Sequence, residues 1–260
     1  MKIMIIACLS ALFILSCSDN STDDSKKGYP DMFPLAVGNY WIYSTSQLDP
    51  GGNTISGTEI IDSLVVTSKI EYLYKDAYLL LKYSNNILSD TTYIYKSDNS
   101  IYEIFDNNSV KIPALAPTWV TILDFNLKEW LILSNSYNQY VNFRGVDSKA
   151  TYMQVFNALD VITDSAVFDG SKKFKIEVPV KMDRQLAFTS IAIIDTRADT
   201  LYYTKVNKTF LRSTYIEGIG RTLIQCDPEI ITIKTKPKSI YDSTTVNNGW
   251  RSVLIRKSFK

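Results

Sequence analysis

"NYWIYSTSQLDPGGNTISGTEIIDSLVVTS", residues 39–68, decides the fold class. In its first third Trp41 and Tyr43 fall on one side of an extended chain and Tyr40 and Ile42 on the other, so both faces are aromatic or apolar and suit a strand covered on two sides. Asp49-Pro50-Gly51-Gly52-Asn53 then concentrates turn formers, with glycines that accept a positive φ. Residues 57–68 return as a second strand, completing an antiparallel hairpin.

The same pattern runs outward along the chain. "AYLLLKYS" (77–84), "TTYIYKS" (91–97) and "SIYEIFD" (100–106) continue a meander, the last two parted by Asp98-Asn99. Later, "TYMQVFNALDVIT" (151–163), "KKFKIEVPVKM" (172–182), "LAFTSIAIID" (186–195), "TLYYTKV" (200–206) and "TFLRSTYIEGIGRTLIQCD" (209–227) resume it, and "EIITIKTK" (229–236) and "SVLIRKSF" (252–259) close the sheet. Between 110 and 135, two prolines and two tryptophans loosen the pattern, and an irregular crossover with a short helix near 126–133 is expected. No helical periodicity, fixed-period repeat or second linker interrupts the body, which predicts a single mainly-β antiparallel domain over 34–260 with few short helices.

Before the body stands a different chemistry. An uncharged run from Ile3 to Leu15 follows Lys2 and ends at Ser16-Cys17, after which the chain turns polar. At about 1.5 Å per residue the run is too short for the roughly 30 Å hydrocarbon core, so it reads as a signal peptide over 1–16. Ile14-Leu15-Ser16-Cys17 resembles a bacterial lipobox, which implies acylation of Cys17 and membrane partnership through that lipid. Residues 17–33 are expected to form the lipidated N-terminus and a flexible tether. Ser18 resembles the outer-membrane sorting position of such lipoproteins, and Asp19, Asp23 and Asp24 resemble acidic surface-export signals. Together they place the domain at the outer membrane, periplasmic or surface-exposed, with the surface favoured.

Composition limits the chemistry. Losing residues 1–16 leaves 260 − 16 = 244, with Lys+Arg and Asp+Glu in balance once Lys2 is gone, so there is no basic footprint for nucleic acid. Histidine is absent, removing the commonest general base and metal ligand and every Ser-His or Cys-His pair. Only Cys226 remains in the body, which leaves no intrachain disulfide and reads as a small buried hydrophobe. No metal and no cofactor is expected. Carboxylate pairs such as Glu59 with Asp62, or Asp195 with Asp199, remain formally available for glycoside hydrolysis.

Two phrases carry a family resemblance. "MFPLAVGNYWIY" (32–43) resembles the FPLxxGNxWxY opening of uncharacterised Gram-negative envelope lipoproteins, and "YIEGIGRTLIQ" (215–225) resembles their late strand-turn-strand. The likeness implies a strongly curved antiparallel sheet or half-barrel. It departs from the pattern at Arg221-Thr222, where lysine or an apolar residue often follows the second glycine.

Aromatic side chains offer large apolar contact with a polar handle. Tyr40, Trp41, Trp119 and Trp130, with Tyr202, Tyr203 and Trp250, are therefore the candidate ligand-binding set, for a hydrophobic small molecule, a glycan or an envelope partner. Core packing is the competing role for Trp41 and Trp130. Ser63, Thr91, Ser165, Thr200 and Ser243, each preceded by aspartate, resemble bacterial O-glycosylation sites, although Asp-Ser and Asp-Thr also start turns. The expected function is that of a non-catalytic envelope binding protein, with a glycan hydrolase or a structural, adhesive surface protein as alternatives. Cys17→Ala should move the protein from the membrane to the soluble fraction on cell fractionation; unchanged partition would remove the anchor.

Overall fold

The alternation is realised entirely as strands, with no helix among the described residues. The computed structural model describes residues 29–105, 116–143, 146–190, 200–235 and 243–259. A first group of six strands comprises β1 (Tyr40–Leu48), β2 (Ile60–Tyr72), β3 (Lys75–Ser84), β4 (Ile87–Lys96), β5 (Ser100–Phe105) and β6 (Thr118–Asp124). The middle of the chain gives β7 (Trp130–Phe143), β8 (Val146–Ala158), β9 (Ile162–Phe168), β10 (Ser171–Ser190) and β11 (Thr200–Ile216). The last group is β12 (Gly220–Cys226), β13 (Glu229–Thr235), β14 (Ser243–Asn247) and β15 (Gly249–Ser258).

Hydrogen bonding orders twelve of these as β6-β5-β4-β3-β2-β1-β15-β12-β11-β10-β8-β7, every pair antiparallel. The two ends of that order are consecutive in sequence, so the sheet curls until β6 and β7 approach each other and the barrel is nearly closed. At this seam a side chain substitutes for a ladder: Trp130 Nε1 donates to the Thr121 carbonyl at 2.8 Å. The helix expected near 126–133 is absent. Asp124 Oδ1 accepts from the backbone N–H groups of Asn126 (2.8 Å) and Leu127 (3.1 Å), an Asx turn that sends the chain directly into β7.

Two long strands change partners along their length. The runs at 172–182 and 186–190 belong to one strand, β10, which pairs with β9 over Ser171–Glu177 and with β8 from Val180 onward. Pro179 sits at the changeover, where its missing N–H leaves no ladder bond unmade, and its carbonyl accepts from Leu159 N at 3.0 Å. β11 likewise pairs with β13 over Tyr202–Asn207 and with β12 over Leu211–Ile216.

One end of the barrel is plugged by the chain's own entry segment. Met32 and Phe33 are fully buried, so the tether expected to reach residue 33 gives way to packed structure by Tyr29. Asp31 ties this segment to β4 through Lys96 (2.6 Å) and to the β11–β12 turn through its carbonyl, which accepts from Gly218 N at 2.7 Å. Tyr29 stacks on Phe125 at 4.6 Å. Gly38, at φ 92°, then turns the chain into β1 and donates to the Val66 carbonyl at 2.8 Å.

Trp41 is the centre of the plug. Its ring lies 5.0 Å from Phe33 and 5.5 Å from Phe259, and its Nε1 donates to the Ile219 carbonyl at 2.6 Å. Both the apolar body and the polar tip are therefore satisfied, and truncation to alanine would cost roughly 3–5 kcal/mol. Gly220 permits this seat. It has φ 99°, and a Cβ there would stand 2.9 Å from Trp41 Nε1. Gly220→Ala should therefore lower stability by about 3 kcal/mol through backbone strain and overpacking together. Gly52→Ala, also at positive φ but in open space, should cost only about 1 kcal/mol. Urea denaturation of the two variants side by side measures the difference.

Candidate functional site

Above the plug the barrel encloses a cavity of about 620 Å³. Polar and apolar side chains concentrate on different strands, although Ile60 and Leu64 of β2 and Trp250 of β15 interrupt the polar side. Thr45 of β1, Asp62 of β2, Lys82 and Ser84 of β3, Thr92 of β4 and Ser252 of β15 make a polar side. Phe105 of β5, Val120 of β6, Ile132 of β7, Phe156 of β8, Val180 of β10 and Leu211 of β11 make an apolar one. Alternation explains how each strand contributes: inward positions two apart, such as Tyr43 and Thr45, or Val178 and Val180, follow one another up the lumen.

The polar side is a hydrogen-bonded ridge. Asp62, only 4% exposed, accepts from Thr45 Oγ1 at 2.8 Å and from the Ser84 hydroxyl, with Lys82 Nζ 3.8 Å from Oδ2. Thr45 and Ser252 hydroxyls lie 2.6 Å apart. Asp90 stands across the ladder from Lys82, nearer solvent.

The floor of the cavity is an ion pair. Arg221 Nη2 of β12 donates to Glu103 Oε2 of β5 at 2.8 Å. These strands stand six places apart in the twelve-strand order, so the pair spans the lumen from one side to the other. The guanidinium lies 5.9 Å above the Phe33 ring and 5.7 Å from Tyr215, and the Arg221 carbonyl accepts from Tyr43 Oη at 2.9 Å. Burial works against the charge of Arg221, but Tyr215 and Tyr43, which would bear negative charge at the extreme pH where a guanidinium titrates, together with Glu103 outweigh it and raise the guanidinium's pKa. Burial also pushes the Tyr43 and Tyr215 phenols above their ordinary values, with Arg221 opposing. Both phenols therefore stay neutral beside a permanent cation.

The seven candidate aromatics do not converge. Trp250 lines the cavity, while Trp41 belongs to the plug and Tyr40, on the alternate face of β1, is half-buried. Trp130 closes the seam. Trp119 joins a cluster away from the lumen, edge-on to Tyr95 at 4.7 Å and to Tyr72 at 6.1 Å. Within that cluster Tyr72 stacks on Tyr93 at 3.8 Å and Tyr95 on Tyr102 at 4.4 Å. Tyr202 and Tyr203 stand on the β11 segment that pairs with β13. The residues sequence reasoning missed, Arg221 and Glu103, are 118 positions apart. The signal available for one of them was the departure at Arg221 from the resembled motif.

The acid pair Glu59 and Asp62 is not a facing pair. Glu59 accepts from the Ser44 hydroxyl, whereas Asp62 is held by the neighbouring Thr45, whose side chain points to the opposite face of β1. Asp195 and Asp199 lie outside the described residues, as does Cys17. Cys226 is buried, and burial raises its thiol pKa. The five aspartate-preceded hydroxyl residues all fall in strands rather than at turns: Ser63 in β2, Thr91 in β4, Ser165 in β9, Thr200 at the start of β11 and Ser243 at the start of β14. Thr91 and Ser165 are exposed.

No family model matches the chain, and no curated protein matches it. Among solved structures it is similar to a chain described as a "putative lipoprotein" from Parabacteroides distasonis ATCC 8503, at 9% identity and a TM-score of 0.42, over 87% of this chain and 98% of that one.

Removing one partner of the floor pair leaves the other buried and uncompensated. Glu103→Leu alone should cost on the order of 3 kcal/mol, whereas Glu103→Leu with Arg221→Met should recover most of the loss. A double-mutant cycle by urea denaturation reads the coupling directly.

Proposed function

We propose that this chain is a lipid-anchored outer-membrane lipoprotein, non-catalytic, that takes a hydrophobic molecule into its barrel lumen. The carrying observation is the cavity itself. At about 620 Å³ it falls within the range of ligand pockets, and its wall is apolar on one side with convergent polar groups on the other. A hydrocarbon body matches the side lined by Val120, Ile132, Val180 and Leu211, which offers a glycan's hydroxyls no side-chain hydrogen-bond partner.

The anchor proposal rests on the lipobox-like Cys17 and on the resemblance to envelope lipoproteins. Geometry adds a direction. The chain enters the domain at the plugged end, where Tyr29 and Asp31 are fastened, so a tether from Cys17 would reach the barrel opposite its mouth. The mouth would then open away from the leaflet that holds the lipid, which suits exchange with a partner in the envelope or outside the cell. Carboxylate-dependent hydrolysis finds less support: Asp62 is held by Thr45, Ser84 and Lys82 and Glu103 by Arg221, and the third acid of the wall, Asp90, is exposed across the ladder from Lys82.

The purified protein should bind a neutral fluorescent hydrophobe such as N-phenyl-1-naphthylamine saturably. Leu211→Trp, which fills the apolar side from a half-buried position, should weaken that binding at least about tenfold while the thermal melt stays cooperative. Saturable binding unchanged in Leu211→Trp would place the hydrophobe elsewhere and overturn the proposal.

A further inference from the structure

We infer that the lumen selects an uncharged, hydroxyl-bearing amphiphile and discriminates against anionic ones such as free fatty acids. This rests on the hydrophobe-binding reading above and adds the chemical class of its polar group.

The charges on the wall decide it. Five ionised side chains line the cavity: Asp62, Asp90 and Glu103 against Lys82 and Arg221. Three negative charges against two positive leave the lining at −1. Each cation already faces an acid of the wall. Arg221 is already paired through Nη2 with Glu103 at 2.8 Å, and its Nε is buried. Lys82 stands between two acids, 3.8 Å from Asp62 and directly across the ladder from Asp90. A carboxylate entering here would bring a third negative charge to a mouth that already holds two acids and one base, and it would give up its hydration to do so.

An alcohol meets the opposite situation. Thr45, Ser84, Thr92 and Ser252 present hydroxyls that rotate to donate or accept, and the Asp62 carboxylate is an acceptor set among them. A ligand with hydroxyls on one side and hydrocarbon on the other satisfies both walls at once, the hydrocarbon lying against Phe105, Val120 and Phe156. The neutral phenols of Tyr43 and Tyr215 at the floor add no positive charge to counter this.

The test is competition on the purified full chain, with N-phenyl-1-naphthylamine as reporter and two displacers of equal chain length, monolaurin and laurate, at pH 8. Monolaurin should displace the probe at a concentration at least about tenfold lower than laurate. Asp90→Asn, an exposed change that spares the core, should improve laurate several-fold and leave monolaurin unchanged. Equal or tighter binding of laurate, or an Asp90→Asn variant that alters both displacers alike, overturns the selectivity. Failure of the probe itself to bind would instead overturn the hydrophobe-binding reading on which it rests.

Discussion

The Arg221–Glu103 pair is the constraint on which the barrel's interior depends. An ion pair across a protein lumen is costly to build, because both charges surrender water, and this one is made tenable by its surroundings. Phe33 and Tyr215 offer ring faces to the guanidinium, and Thr92 offers a hydroxyl 3.4 Å from the second oxygen of Glu103. Below the pair Met32, Phe33, Trp41 and Tyr215 pack without residual exposure of note. Above it the strands surround open space. The pair thus separates the part of the barrel that confers stability from the part free to hold something else.

That division follows from how the strands are written. On β1 a single inward row passes from Trp41 in the plug through Tyr43 at the floor to Thr45 on the ridge, changing from apolar to polar as it climbs. On β10 the inward row Ile176, Val178, Val180 stays apolar throughout. The lumen's two-sided character is therefore a sum of inward rows of unlike chemistry, brought face to face only when the sheet closes. The entry segment makes closure possible by fastening β4, the β6–β7 turn and the β11–β12 turn to one another through Asp31 and Tyr29.

Much of this was legible in the chain. Alternation marked β1 to β5 and most of β10 to β15, and the glycines at 38, 218 and 220 marked backbone that must turn at positive φ. Other features were not. β6 and β7 hide behind prolines and tryptophans, because a seam strand needs anchoring side chains more than a regular pattern. The turn at Leu73-Tyr74 takes φ values of 45° and 59° without any of the residues that favour them, unlike Asn85-Asn86 and Asp169-Gly170, which do the same with turn formers. The site escaped for a different reason. Period-two alternation says which residues share a face, but not which distant strands face each other across a lumen, so the seven candidate aromatics centred on Trp41 and Trp119 while the cavity drew on hydroxyl, charged, aliphatic and other aromatic side chains. Only Trp250 was common to both.

A high-resolution density map of the protein purified under native conditions tests most directly whether the lumen above the Arg221–Glu103 floor is a space held open for a guest. The account predicts continuous elongated density lying against Phe105, Val120 and Phe156 and reaching toward Thr45 and Ser252. A lumen filled by inward collapse of its own side chains, or a floor in which Arg221 and Glu103 stand apart, would contradict it.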